Sequence, residues 1–115
     1  MRAINSWVVE MASKQRMKVA KDAVSAAPDV YTAVFENDSV NVMKAKMLPG
    51  VAVPMFYHPN YLIYVRSPSV IRIADDDTSE DLHPRAGDVI WMESGTHSCE
   101  NVGSTIFEAL LVEVK

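Results

Sequence analysis

Few residues in this sequence can do chemistry. Its only imidazoles are His58, His83 and His97, and its only thiol is Cys99. An imidazole near its ordinary pKa of about 6.5 accepts or donates a proton at physiological pH, and the neutral ring can also ligate a metal. Side chains two apart on a strand share a face, so Cys99 points the same way as His97 if that segment is extended. Arg66 and Arg72 would grip a carboxylate through both oxygens if either faced inward; the sequence does not set their phase. His83, in Leu82-His83-Pro84, reads as an exposed loop residue. The run Asp75-Asp76-Asp77 lacks the alternating ligands and glycine of a calcium loop and reads as a solvated turn.

The elements that must carry these residues change period along the chain. Ile4, Trp7, Val8 and Met11 recur at helical spacing, and Met17, Ala20 and Val24 extend the stripe. Pro28 ends it, because proline disfavours helical geometry at the preceding residue. One or two helical segments are therefore expected within 5–25. From residue 30 the pattern turns to short β-prone runs: Val30 to Phe35, Val40 to Met47, Tyr61 to Val65, Val70 to Ala74, Val89 to Met92 and Ile106 to Val114. Met43, Ala45 and Met47 alternate with Lys44 and Lys46, a period of two with one wet face. Leu48-Pro49-Gly50 is a turn before a further strand, and Asn37-Asp38, Ser67-Pro68-Ser69, Ala86-Gly87-Asp88 and Ser94-Gly95 separate the other runs. Many short strands with no helix-length pattern between them predict an all-β sandwich or barrel and disfavour a parallel α/β sheet. The expected division is a helical segment over 1–29 and a barrel over 30–115.

Composition narrows the partners. A chain of 115 residues suits one domain, and 49% hydrophobic content argues against disorder. The net charge of −4 argues against nucleic acid, which needs clustered cations. Residues 1–22 hold five cations and two acids, whereas the rest holds six cations and thirteen acids. The basic end reads as a solvated face or as a contact with the acidic body of another copy. No stretch reaches the roughly 20 apolar residues that span a bilayer, and the start reads poorly as a signal peptide. A lone cysteine forms no internal disulfide, so a cytoplasmic location is the expectation.

Gly50 to Lys115 resembles the small single-domain cupins. The first motif of that superfamily, G-x5-H-x-H-x(3,4)-E-x6-G, is matched by Gly50 and His58. Phe56 stands where the first histidine belongs, Leu62 or Ile63 where the glutamate belongs, and Ser69 or Val70 where the glycine belongs. The second motif, G-x5-P-x-G-x2-H-x3-N, is matched by Gly87, Gly95, His97 and Asn101; Glu93 replaces the proline, and one residue is missing before His97. The resemblance implies a double-stranded β-helix, a form of jelly-roll barrel, here preceded by a short helical segment. It also implies an interior site that in this family holds Mn, Fe, Ni or Zn through three histidines and a glutamate.

Two of those imidazoles remain, His58 and His97. With Cys99 as a third donor they would form a reduced site for one divalent ion, since a catalytic metal site usually needs three protein ligands. The alternative is a site with no metal. There His97 would act as acid and base in an isomerase or lyase, or the domain would only bind or sense a small molecule. Phe56, Leu62, Tyr64 and Trp91 would line that pocket. Small cupins pair through a sheet, so a homodimer is expected. Fold membership does not decide between an enzyme and a binding module.

Overall fold

The computed structural model describes residues 22–115. The helical expectation for 5–25 lies almost wholly outside that range. Within it, a single turn of helix at Ala23–Ala26 is closed by the amides of Ala26 and Ala27, which donate to the carbonyls of Asp22 and Ala23. Ala23 is fully buried, and Val24, Ala26 and Ala27 pack on the core. This turn rests against the first and third strands.

Nine strands follow: β1 (Tyr31–Glu36), β2 (Val40–Met47), β3 (Ala52–His58), β4 (Tyr61–Ser67), β5 (Ile71–Ala74), β6 (Ser79–Leu82), β7 (Val89–Met92), β8 (Gly95–Asn101) and β9 (Phe107–Val114). They form two antiparallel sheets, β1-β2-β9-β4-β7 and β3-β8-β5-β6. The chain passes repeatedly between the two, which is the jelly-roll arrangement. Alternation sets which side chains enter. On β2, Met43, Ala45 and Met47 are buried while Lys44 and Lys46 are exposed. On β9, Phe107, Ala109, Leu111 and Glu113 point inward.

The expected runs at 40–47 and 89–92 match β2 and β7 residue for residue. Two strands were not expected. β6 is polar because it is an exposed edge, and β8 is polar because its inward residues include histidine. The three aspartates fall at the β5–β6 turn, where the Asp75 carboxylate accepts the amides of Asp77 and Thr78.

The motif residues have physical roles in this frame. Gly50 and Gly87 have φ of 84° and 88°, a left-handed geometry that side chains resist. Asn101 is fully buried. Its amide donates to the carbonyls of Met47 and Thr105, and its side-chain oxygen accepts from Ser69 and the amide of Gly103. It therefore ties the loop after β8 to the end of β2.

Candidate functional site

The interior site is built from both sheets. A register shift between Val53 and Phe56 places an extra residue in β3. Val53, Phe56 and His58 consequently all face inward. Phe56 is paired in register with His97 on β8. From the opposite sheet, Asn41, Glu113 and Tyr61 form one cross-strand row over β2, β9 and β4.

These groups contact one another in a chain. Tyr61 Oη lies 3.3 Å from His97 Nε2. The His97 and His58 rings stack with centroids 4.8 Å apart and planes 22° apart. His58 also stacks on Tyr61 at 4.4 Å. His58 Nδ1 lies 3.4 Å from Glu113 Oε2, and Asn41 Nδ2 donates to the other carboxyl oxygen at 3.2 Å. Phe56 packs its ring on His58 at 4.2 Å and meets Tyr31 edge-on. Tyr31 Oη is 3.8 Å from Cys99 Sγ.

Burial sets the charge states. His58 is pushed down to about 3 by desolvation. His97 is lowered to about 3 by desolvation first and by the neighbouring His58 second. Burial raises the Glu113 carboxyl above its ordinary range against the pull of Asn41, and the charges of Asp22 and Glu36 add to the rise. The phenols of Tyr31 and Tyr61 are raised well above their ordinary value, again chiefly by burial. Burial pushes the Cys99 thiol up to about 11, so it carries a proton at neutral pH. Both imidazoles are therefore neutral near pH 7. The His58–Glu113 contact then joins a neutral ring to the carboxyl group and is not an ion pair.

The expected His58/His97/Cys99 metal set does not converge. An imidazole ligates in its ring plane, at about 2.0–2.1 Å for zinc. Two stacked, near-parallel rings direct their lone pairs side by side, not at one point. Cys99 does share the inward side with His97, but its thiol faces Tyr31. Among the described residues, no three of His, Cys, Asp and Glu are grouped to hold a metal ion. The residues as arranged do not fit the metal of the resemblance.

The interior cavity has a volume of about 40 Å³ and a mainly apolar lining. His58, Tyr61, His97 and Cys99 reach it beside Ile73, Leu82 and Leu111. It is smaller than the roughly 150 Å³ cavity that takes up benzene in a known case.

None of the four expected pocket residues lines this cavity; Phe56 is buried but packs against His58. Tyr61, Ile63 and Val65 occupy the inward phase of β4, so Leu62 and Tyr64 point outward, and Tyr64 is 45% exposed. Trp91 is likewise outward, between the buried Ile90 and Met92. Of the four, only Phe56 is interior. Arg66 is exposed, and Arg72 is held on the surface by Asp81, so neither meets the cavity. His83 is exposed as expected.

Sequence reasoning missed Tyr61, Glu113, Asn41 and Tyr31. The phase of β9 was readable: Phe107, Ala109 and Leu111 put Glu113 on the buried side. The same phase test on β4 would have chosen Tyr61 over Tyr64.

No family model matches this chain. No curated protein matches it either. Solved structures do. A cupin domain from Bordetella pertussis Tohama I is 19% identical, with a TM-score of 0.70 over 75% of this chain and 92% of that one. An RmlC-like cupin family protein with a double-stranded β-helix fold, from Methanocaldococcus jannaschii, is 14% identical, with a TM-score of 0.62 over 74% and 78%. A protein from Thermotoga maritima described as a predicted oxalate decarboxylase is 24% identical, with a TM-score of 0.51 over 81% and 74%. With the two-sheet topology and the positions of Gly50, Gly87, His97 and Asn101, these likenesses establish that the described chain has the fold of a small cupin domain, a double-stranded β-helix.

Proposed function

We propose that this domain binds a small, neutral, largely apolar molecule inside its barrel, and does so without a metal. The observation that carries this reading is the Tyr61–His97 contact of 3.3 Å at the wall of an otherwise apolar cavity. A phenol and a neutral imidazole offer one hydrogen-bonding handle for a carbonyl or hydroxyl oxygen. Such a polar point in an apolar enclosure fixes orientation and gives specificity. A carboxylate is disfavoured, because both imidazoles are uncharged and Glu113 lies behind His58. The present cavity suits a ligand of only a few heavy atoms.

His97 is the acid–base group if the domain turns its ligand over. Its proton partner is Tyr61, and His58 with Glu113 stands behind the pair as a second proton-holding unit. The metal-dependent enzyme is the alternative, and it would need His58 and His97 to leave their stack. The test is a thermal-shift and NMR titration with aldehydes, ketones and alcohols of graded length. Ligand at a hundred times its dissociation constant adds about 2.7 kcal/mol of apparent stability. Saturable shifts that vanish in His97→Ala support the reading. Absence of any shift across the series overturns it.

A further inference from the structure

A groove of about 170 Å³ lies on the outer face of the five-stranded sheet. Residues 22–115 contain six lysines and arginines. Three of them are paired on the surface: Arg72 with Asp81, Arg85 with Asp88, and Lys115 with Glu36. The other three, Lys44, Lys46 and Arg66, all line this one groove. None of the three makes an ion pair with a described residue.

The backbone brings them together. Lys44 and Lys46 occupy the exposed phase of β2. Arg66 belongs to β4, on the far side of β9. The β4–β9 register shifts between Val65 and Ser67, so Arg66 is the extra residue of a bulge. Bulges re-aim side chains, and this one faces Arg66 to the groove that the lysines line. With strands about 4.8 Å apart, the lysine and arginine backbones stand about 10 Å from each other across β9, within reach of long side chains. Leu110, Ala109, Ala45, Val30 and Thr32 complete the lining, and Glu108 is its one acid.

We infer that this groove is a binding site for a phosphate group, as inorganic phosphate or a phosphomonoester. Three cations against Glu108 leave a local charge of about +2, the complement of a phosphate that carries about −1.5 to −2 at pH 7. The guanidinium of Arg66 matches two phosphate oxygens at once, and the lysines add point charge. Thr32 offers a hydroxyl, and the half-buried Leu110 offers apolar surface for the organic part of an ester. Three cations with no ion-pair partner among the described residues repel one another at one place on an otherwise acidic body, and a bound dianion relieves that repulsion. The groove lies on the opposite face of the sheet from the His97 cavity, so the inference stands apart from the interior reading.

The experiment is an NMR titration of the full chain at low salt with inorganic phosphate and, separately, phenyl phosphate. The expected result is saturable binding that weakens as salt rises. Shifted amides should cluster at residues 30–32, 44–46, 66 and 108–110. Affinity should fall about tenfold or more in Arg66→Ala and in the Lys44→Ala/Lys46→Ala pair, and rise in Glu108→Gln. All four positions are exposed, so circular dichroism should show the variants folded. Tighter binding of phenyl phosphate assigns the site to a phosphomonoester, and equal binding assigns it to free phosphate. No saturable binding of either probe, or binding unchanged by these substitutions, overturns the inference.

Discussion

His58 on β3 and Glu113 on β9 meet across the barrel, with Nδ1 and a carboxyl oxygen 3.4 Å apart. They come from different sheets and are 55 residues apart in sequence. The contact joins the one surviving histidine of the first motif to an acid that no motif names. Both partners are buried, and burial pushes each toward its neutral form.

That shift predicts a pH dependence of stability. His58 and His97 titrate near 6.5 in the unfolded chain and at about 3 when folded. Between those values the unfolded chain binds more protons, so stability falls as pH falls through the window. Each histidine contributes a slope of up to about 1.4 kcal/mol per pH unit. Urea unfolding should therefore give a protein roughly 2–4 kcal/mol less stable at pH 5 than at pH 7. Equal stability at the two pH values in a Glu113→Gln background, where the opposing contribution of Glu113 is absent, would mean that the imidazoles are not buried and neutral.

Glu113 works in the opposite sense. Its folded pKa is raised, so its favourable contribution is full below the unfolded value and is lost as pH rises through the folded one. Glu113→Gln keeps the shape and removes the buried charge. The variant should gain stability relative to the parent at pH 8 and lose that advantage at pH 4. Denaturant midpoints at the two pH values check this, and a variant less stable at pH 8 would contradict it.

Tyr61→Phe removes only the hydroxyl that meets His97. A net hydrogen bond is worth about 0.5–1.5 kcal/mol, and stability should fall by that order. Any interior ligand found in the titration series should lose about tenfold or more in affinity, because its oriented polar handle is gone. A ligand bound equally well by Tyr61→Phe would place the handle elsewhere.

The outer face should be silent in the same assay. Leu62→Ala and Tyr64→Ala alter side chains on the far side of β4 from the cavity. Interior ligand affinity should stay within about twofold, the ordinary reach of a distant surface change. A larger loss in Tyr64→Ala would return that residue to the binding wall.

Much of the fold was legible because alternation and turn chemistry are local. Lys44 and Lys46 between Met43, Ala45 and Met47 define β2 almost without ambiguity. Gly50 and Gly87 mark turns that need positive φ. The site was only partly legible. Motif spacing gave His58, Phe56 and His97, but it could not give partners that join only when two sheets close. Glu113 and Asn41 are adjacent through the β2–β9 register, which no local pattern encodes. Leu62, Tyr64 and Trp91 were misplaced because aromatic and branched residues suit both faces of a strand, and phase alone separates them. The β3 bulge, which brings Phe56 and His58 inward together with Val53, has no sequence signal beyond Pro54 nearby.

Phe56 is the residue on which the metal question turns. It is fully buried and sits opposite His97. Phe56→Ala should cost about 3–5 kcal/mol as a large-to-small change in a packed core. Phe56→His places an imidazole at the position the cupin motif reserves for one, and calorimetric zinc titration should then show tighter uptake than in the parent; equal uptake would contradict this.

The most direct test of the account is elemental analysis of the parent protein, purified without an affinity tag or added metal and then challenged with Zn, Fe, Mn and Ni. Each ion should stay far below one per chain after the challenge, while small neutral ligands still raise the melting temperature. Close to one ion per chain, lost in His58→Ala and in His97→Ala, would contradict it and make this barrel a metal site.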